Sequence, residues 1–161
     1  MEIDFRKLSE INKNELIELM NNLLVRKQMP LLRESFGEDE YKRFIEDKNK
    51  HWNKFGFGIW AFFINNRFIG WGGLQVENDE TDLALVLHPD FWGSGKYIYE
   101  KIVNIAFNEL DVPSITVLLP PTRTRIKGIL RLGFVQNGNY VIGDVVFIRY
   151  KLDKSNYNKI K

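Results

Sequence analysis

The clearest chemical signal lies in residues 83–96, where an apolar run leads into a glycine-rich turn. Residues 83–87 are all apolar, Gly93-Ser94-Gly95 forms the turn, and the apolar spacing of a helix begins directly behind it. Such a turn presents unpaired backbone N–H groups, and the helix adds the positive end of its dipole at the same point. This arrangement binds anions, most often phosphate groups. The alternative is a turn that only caps the helix and binds no ligand.

The composition is that of one globular domain. The chain has 161 residues, of which 44% are apolar and 27% charged, and it contains no cysteine. Disulfides, thiolate metal sites and a cysteine nucleophile are therefore excluded, and no other metal site is predicted. The net charge of +2 does not indicate a nucleic-acid partner. No apolar run reaches the roughly 20 residues that span a membrane, and the first residues lack a signal-peptide pattern, so we expect a cytoplasmic protein.

The spacing of apolar residues predicts an α/β fold of the α+β type. Strands are predicted at residues 3–8, 59–64, 68–76, 83–87, 114–119, 134–141 and 145–152, and helices at 15–24, 38–52, 98–110 and 122–132. Because residues 83–87 are continuously apolar, we expect this strand to be covered on both faces and to lie in the middle of the sheet. We predict one domain over residues 1–152 and a polar, frayed tail over residues 153–161.

Three short segments, taken together and in this order, resemble the GNAT superfamily of N-acetyltransferases. They are Phe68-Ile69-Gly70-Trp71-Gly72-Gly73-Leu74, Leu87-His88-Pro89-Asp90-Phe91-Trp92-Gly93-Ser94-Gly95 and Leu132-Gly133-Phe134. The resemblance covers residues 5–152. Within the superfamily, the sequence is similar to the branch that includes ribosomal-protein N-terminal acetyltransferases. It implies a single-domain, mixed, mostly antiparallel and twisted sheet of about seven strands flanked by about four helices. It also implies acetyl transfer from acetyl-CoA to a primary amine.

The resemblance assigns the coenzyme to the glycine-rich turn and to the strand before it. The pyrophosphate is expected on Trp92, Gly93, Ser94, Gly95, Lys96 and Tyr97, and the pantetheine arm along Leu85, Val86 and Leu87. This strand is expected to splay from the next one, which frees backbone groups to meet the thioester. Gly95 corresponds to the central glycine of the family, where a side chain would displace the phosphate. Tyr97 stands where the family has a small residue, so its ring could crowd the pyrophosphate or point away.

The acceptor amine must lose a proton before it attacks the thioester, because an alkylammonium has a pKa of about 10.4. Asp82 begins the strand before the turn, where the related branch often carries Glu, and is the best candidate for the base. Its side chain is one methylene shorter than Glu, which favours a water relay. Glu77, Asp79 and Glu80 are alternatives, and all four could simply be a solvated hairpin turn.

The tyrosine that protonates the departing thiolate in many GNAT enzymes corresponds to Ile129, which cannot do so. Thr122 or Thr124 could supply a hydrogen bond instead, or Tyr99 could reach in. A thiolate is also a far better leaving group than an amine, because a thiol has a pKa of about 8.5. A basic helix nearby carries Arg123, Arg125, Lys127 and Arg131. We expect Arg125 in this group to help bind the coenzyme's 3′-phosphate, although such a run can equally be a solvated face.

The acceptor is the least determined part of the site. The resemblance implies that the first two helices and their connection wall the acceptor, together with the aromatic segment that follows. These regions carry Met29, Pro30, Leu31, Leu32, Glu34, Phe36, Glu38, Asp39, Trp52, Phe55 and Phe57. Acidic groups beside an apolar slot would suit a peptide N-terminus, a lysine, a polyamine or an aminosugar. Two hypotheses remain open: an N-acetyltransferase, and a non-catalytic member of the fold that binds an acyl-CoA or a protein. The protein could be a monomer or a homodimer.

Overall fold

The computed structural model describes residues 2–124 and 126–160, and these form a seven-stranded sheet with helices on both faces. The strands are β1 (Asp4–Arg6), β2 (Ile59–Ile64), β3 (Arg67–Glu77), β4 (Glu80–Leu87), β5 (Ser114–Leu119), β6 (Val135–Ile142) and β7 (Val145–Asp153). The helices are α1 (Lys13–Asn21), α2 (Leu23–Lys27), α3 (Glu38–Phe55), α4 (Gly95–Asn104), α5 (Lys127–Arg131) and α6 (Lys154–Ile160). In the described part of the chain, no helix is long and apolar enough to cross a membrane.

The sheet is mixed and mostly antiparallel, as predicted. Its order is β1-β2-β3-β4-β5-β7-β6, which places β4 in the middle. Only the β4–β5 pair is parallel among the described strand pairs. The turn between β2 and β3 is tight because Asn65 and Asn66 adopt left-handed φ angles of 49° and 64°, which Asn tolerates better than most residues.

Alternation along the strands separates two apolar clusters, one on each face of the sheet. On β2, Ile59, Ala61 and Phe63 pack against α1–α3, whereas Phe62 and Ile64 pack with the helices that follow β4. The period of two along a strand is what sends neighbouring residues to opposite faces. The helices α1–α3 therefore cover one face, and α4–α6 cover the other.

The glycines of the motif in β3 are explained by close approach of neighbouring strands. A Cβ on Gly70 would lie 2.2 Å from the carbonyl oxygen of Val86, and a Cβ on Gly73 would lie 2.2 Å from that of Gly58. Any side chain at these positions would push the neighbouring backbone away. The motif therefore serves the packing of β3 against the strands on either side.

Several element boundaries differ from the prediction, each for a local reason. The predicted first helix is divided at Asn22, whose side chain accepts hydrogen bonds from the N–H groups of Leu24 and Val25 and starts α2. The predicted basic helix is shorter, since residues 121 and 122 form a turn and α5 begins only at Lys127. The first strand covers only three residues and is followed by a 3₁₀ turn.

The prediction of a frayed tail over residues 153–161 was wrong for most of that segment. Residues 154–160 form α6, and the ring of Tyr157 lies 5.1 Å from that of Phe107. The segment is polar in composition, but this aromatic contact anchors it to the face that carries α4. This segment has one aromatic residue on its buried face, and one such residue is too weak a periodic signal to predict a helix.

Candidate active site

The strands β4 and β5 separate almost as soon as they pair. Their only register pair is Asp82 with Thr116, near the start of each strand, and beyond this point they diverge. The adjacent β3–β4 pair, by contrast, stays in register over its whole length. The expected splay is thus confirmed, and it opens a gap in the middle of the sheet between the ends of two parallel strands, a common place for ligands in α/β folds.

A cavity of about 770 Å³ occupies this gap. Its walls come from β4 and β5, from the first turns of α4 and α5, and from the segment that follows α2. The lining includes Gln28, Met29, Leu32, Trp71, Glu77, Asp82, Leu85, Val86, Leu87, Trp92, Gly93, Gly95, Lys96, Tyr99, Val117, Thr122, Arg123, Lys127, Ile129 and Phe147. The volume suits a ligand of coenzyme or drug size, and the lining is apolar with a few polar groups.

The glycine-rich turn forms a short 3₁₀ helix, and α4 begins directly behind it. The 3₁₀ helix covers Pro89–Ser94 and is capped by His88, whose Nδ1 accepts from the Asp90 N–H at 3.1 Å. The Ser94 side chain makes no capping hydrogen bond to α4. The Gly95 N–H donates to the Trp92 carbonyl oxygen, which joins the 3₁₀ helix to α4. The Trp92 indole N–H donates to the Leu87 carbonyl oxygen at 2.9 Å, which ties the turn to the end of β4.

The two glycines of the turn are not required by the protein's own packing. Neither has a left-handed φ, and a Cβ on Gly93 would meet no atom within 4 Å. A Cβ on Gly95 would touch only the side chains of Leu85 and Leu87, at an ordinary 3.9 Å. Since both glycines line the cavity, the space that they leave open belongs to the cavity.

Tyr97 does not fill this space. Its side chain is 47% exposed, and neither Tyr97 nor Ser94 is among the lining residues. Gly95 is the buried residue that faces β4. At the glycine-rich turn, the small residues that line the cavity are thus Gly93 and Gly95. Arg125 lies outside the described residues.

Asp82 lines the cavity at the point where β4 and β5 part. The Thr116 hydroxyl donates to Asp82 Oδ1 at 3.1 Å. Burial and, second, the negative charge of Glu77 raise the pKa of Asp82 from its ordinary value of 3.8 to about 7, against the hydrogen bond from Thr116. A carboxyl group with a pKa near neutrality can take up and release protons at physiological pH.

The alternative acidic residues are placed differently. Glu77 lines the cavity but is exposed. Asp79 lies in the β3–β4 turn with a left-handed φ of 63°, and Glu80 forms an ion pair with Arg149. Among these residues, only Asp82 combines a place in the cavity with burial.

A tyrosine and an arginine also line the cavity. Tyr99 comes from α4 and is 4% exposed; burial raises the pKa of its phenol, and the nearby charge of Arg123 opposes this rise. Ile129 of α5 also lines this wall and is buried and apolar. Thr122 and Thr124 line the cavity as well, although both residues are exposed.

Only some of the residues that were predicted to wall the acceptor line the cavity. Residues 29–32 line the cavity, whereas Glu34, Phe36, Glu38, Asp39, Trp52, Phe55 and Phe57 do not. Phe36 is in the core and Glu38 pairs with Lys13. The wall is held in place by Arg26, which donates to the carbonyl oxygens of Leu32 at 3.1 Å and Glu34 at 2.9 Å.

The lining residues absent from the sequence prediction include Gln28, Trp71, Ile142 and Phe147. Gln28 Oε1 is buried and, among the described residues, accepts no hydrogen bond. The other three come from β3, β6 and β7, and no local pattern links them. Their place follows from the sheet order, which the sequence did not specify.

His51 has a structural role. Its Nε2 accepts from the Val76 N–H at 2.9 Å, so the ring proton is on Nδ1, which donates to the Phe57 carbonyl oxygen at 2.9 Å. Both nitrogens are thus occupied by backbone groups. The histidine joins α3 to β3 and to the segment before β2, and it does not line the cavity.

Comparisons with known proteins agree with this geometry. Residues 3–135 match the acetyltransferase (GNAT) domain family. The fold is similar to that of a chimera of the Vibrio cholerae spermidine N-acetyltransferase SpeG and hSSAT, with a TM-score of 0.77 at 14% identity over 98% of this chain and 99% of that one. It is similar to aminoglycoside acetyltransferase AAC(6')-Ib bound to coenzyme A, with a TM-score of 0.76 at 15% identity over 98% of both chains.

A third similar structure contains CoA together with an amine. This is the spermidine N-acetyltransferase from Vibrio cholerae in complex with CoA and spermine, with a TM-score of 0.75 at 15% identity over 97% of this chain and 98% of that one. At these identities the structures show a shared fold, while the family match covers most of the chain. The chain therefore belongs to the GNAT acetyltransferase family.

Proposed function

We propose that the protein acetylates a primary alkylamine by direct attack on acetyl-CoA, with Asp82 as the base. The observation that carries this proposal is the position of Asp82, half-buried where β4 and β5 separate, with a pKa of about 7. The separated strands expose backbone groups on one side of the gap. The carboxylate occupies the point at which an incoming amine would have to lose its proton.

The coenzyme fits the wall opposite the acceptor segment. Its diphosphate would lie against Gly93 and Gly95, in the space that these residues leave open, near the start of α4 and the positive charge of Lys96. The pantetheine arm would lie along residues 85–87 of β4, whose side toward β5 has no strand partner beyond Asp82. A backbone N–H of this strand can stabilise the oxyanion that forms on the thioester carbonyl.

The acceptor wall favours an amine with an apolar body. Residues 29–32 supply an apolar surface, while Glu77 and Asp82 supply negative charge at one end. Gln28 adds a buried acceptor that a substrate N–H can use. An ammonium group would thus be drawn to the acidic end with its carbon chain against the apolar wall. Spermine and kanamycin, found in similar structures, are suitable first members of a test panel with lysine and short peptides.

The Asp82→Asn variant tests the assignment of the base. Because Asn cannot accept the proton, we expect kcat/KM to fall by about a hundred to ten thousandfold. In the wild-type enzyme, kcat/KM should rise with pH through about 7 as Asp82 loses its proton and then level off. Thiol release from acetyl-CoA, measured over the amine panel, gives both quantities.

The matched control is Asp47→Asn, which removes an exposed carboxylate from α3. This variant should keep the wild-type rate and pH profile. If Asp82→Asn retained the wild-type rate at neutral pH, Asp82 would not be the base. If the wild-type protein bound acetyl-CoA but released no thiol with any amine, the non-catalytic hypothesis would be favoured.

A further inference from the structure

Gln28 brings to the cavity a polar group that stays unpaired within the described part of the chain. The residue follows α2 directly and lines the cavity, and its Oε1 is buried without a hydrogen bond. A buried acceptor without a donor costs free energy, so most such atoms in folded proteins are paired. An unpaired acceptor that borders a ligand cavity is therefore suited to a donor that the ligand supplies.

The backbone around Gln28 is held by hydrogen bonds. The Gln28 N–H donates to the Val25 carbonyl oxygen at 3.0 Å, which closes the end of α2. Arg26, two residues earlier, donates to the carbonyl oxygens of Leu32 and Glu34 and so fixes the segment that follows. The point from which the Gln28 side chain leaves the backbone is therefore defined by the fold, as a residue that selects a ligand requires.

The neighbouring polar group of this wall is already used. Met29 and Leu32 pack against the same apolar cluster as Trp71, which also lines the cavity. The Trp71 indole N–H donates to Met20 Sδ at 3.4 Å, so it does not serve Gln28. The rest of residues 29–32 is apolar in its side chains. A donor for Gln28 Oε1 is thus expected from the molecule that the cavity binds.

The charges of the cavity favour an acceptor with one ammonium group. Among the lining residues that the structure describes, Glu77 and Asp82 are the carboxylates, and they lie on the adjacent strands β3 and β4. Lys96, Arg123 and Lys127 are the cations of the lining. A second ammonium group on the acceptor would find an apolar wall or a like charge, and both are costly. The donor that reaches Gln28 should therefore be neutral.

We propose that Gln28 is a specificity-determining residue that accepts a hydrogen bond from a neutral amide N–H of the acceptor. The inference rests on the proposed acetyl transfer and names its substrate class: an amine with one positive charge, an apolar body and an amide group. An amino-acid amide and the first residue of a peptide share this chemistry. Spermine does not, since its N–H groups belong to charged centres at neutral pH, and kanamycin contains no amide.

The first test compares leucine N-methylamide with leucine methyl ester as acceptors for the wild-type protein. The two amines have nearly the same shape, but the ester has an oxygen atom in place of the amide N–H. We expect kcat/KM to be about tenfold or more higher for the amide, because the ester leaves Gln28 Oε1 without a donor. Thiol release from acetyl-CoA measures both rates, and this comparison needs no variant.

The second test repeats the comparison with Gln28→Met, which keeps the length of the side chain but removes its amide. The preference for the amide over the ester should disappear, while acetyl-CoA should still raise the melting temperature as in the wild-type protein. Gln136→Met is the matched control, since Gln136 is an exposed glutamine of β6 that does not line the cavity. This control should keep the wild-type preference.

A third acceptor separates the two sources of the amide. A peptide that begins with leucine carries the same amine, apolar side chain and first N–H group as the N-methylamide. A higher kcat/KM for the peptide would identify the first residue of a peptide as the substrate, and a lower one would identify a small amide. Either result supports the proposal, because in both cases the amide N–H is what Gln28 reads.

The proposal is overturned if the wild-type protein uses the amide and the ester within about twofold of each other, or if Gln28→Met keeps the preference. An equal loss of both substrates in Gln28→Met would also overturn it, since this would show a structural role. So would a higher kcat/KM for spermine than for the amide. A wild-type protein that acetylates alkylamines without regard to the amide refutes only this inference. One that transfers nothing to any amine refutes the proposed function together with it.

Discussion

At the scale of single residues, the site depends on the absence of a side chain at the glycines of the turn. Gly95 faces β4 across a gap that no side chain of the protein fills, and its backbone conformation is an ordinary helical one. An alanine could occupy this position as far as the protein's own packing is concerned, since its Cβ would meet Leu85 and Leu87 at an ordinary 3.9 Å. The requirement for glycine therefore points to the ligand, in contrast to Gly70, where a Cβ would collide with the carbonyl oxygen of Val86.

Gly95→Ala separates these two requirements. The apo protein should unfold within about 1 kcal/mol of wild type, in the stabilising direction, because Ala favours a helix. Acetyl-CoA should stabilise the wild-type protein by about 2.7 kcal/mol at a hundred times its Kd. Most of this gain should be lost in the variant at the same concentration, because the methyl group enters the space of the diphosphate. Thermal unfolding with and without acetyl-CoA measures both.

Asn104→Ala on the exposed side of α4 is the control and should keep the full effect of the coenzyme. An undiminished effect in Gly95→Ala would show that the diphosphate does not approach this residue.

At the scale of elements, α2 and the segment behind it form the acceptor wall. The chain reverses direction here without a long regular element, and hydrogen bonds from side chains to the backbone fix its course. Asn21 bonds to both the N–H and the carbonyl oxygen of Phe36, and Arg26 bonds to the carbonyl oxygens of Leu32 and Glu34. The apolar surface of residues 29–32 is therefore presented to the cavity in a defined conformation.

Arg26→Met should loosen this wall while preserving its apolar bulk. The two carbonyl oxygens lose their donor, so we expect KM for the amine to rise several-fold. The effect of acetyl-CoA on melting should be unchanged, since the coenzyme wall belongs to β4 and α4. Steady-state kinetics over the amine panel, together with thermal unfolding, separates the two walls.

Arg43→Met removes an exposed arginine that pairs with Glu40 on α3, and it should leave both quantities at their wild-type values. A rise in the acetyl-CoA Kd for Arg26→Met, without a change in amine KM, would contradict the assignment of this wall.

At the scale of the whole molecule, β4 and β5 separate in the middle of the sheet and leave the carboxyl group of Asp82 largely buried there. The pKa of Asp82 is raised from 3.8 to about 7, because the folded state penalises the charged form. The folded state therefore binds a proton more tightly than the unfolded state does. As the pH rises from about 4 to about 7, Asp82 lowers the free energy of unfolding, and above about 7 the full penalty applies.

Asp82→Asn should remove this penalty. We expect the variant to match the wild-type protein near about pH 3 and to exceed it near about pH 8.5, by at most about 4 kcal/mol. The Asn side chain can still accept the hydrogen bond from Thr116. Urea unfolding at both pH values measures the difference. An equal stability of the two proteins at the higher pH would show that the carboxyl group is well solvated when charged.

The sequence by itself determined the elements and the family. The apolar run at 83–87 predicted the central strand, and the glycine-rich turn before a helix predicted where α4 begins. These features depend on local backbone chemistry and on the spacing of apolar residues, which are visible in one chain. The family resemblance, carried by the three short segments, was confirmed by the match over residues 3–135.

The tertiary structure alone decided which side chains meet in the cavity. Tyr97 and Tyr99 stand two residues apart in the sequence, yet the first is half-exposed and the second is buried in the wall of the cavity. Trp71 and Phe147 join the lining from strands far apart in the chain. The rotation of a helix about its axis and the order of strands in a sheet follow from packing between distant segments. No local pattern encodes that packing, so the partner of each catalytic group appears only once the chain is folded.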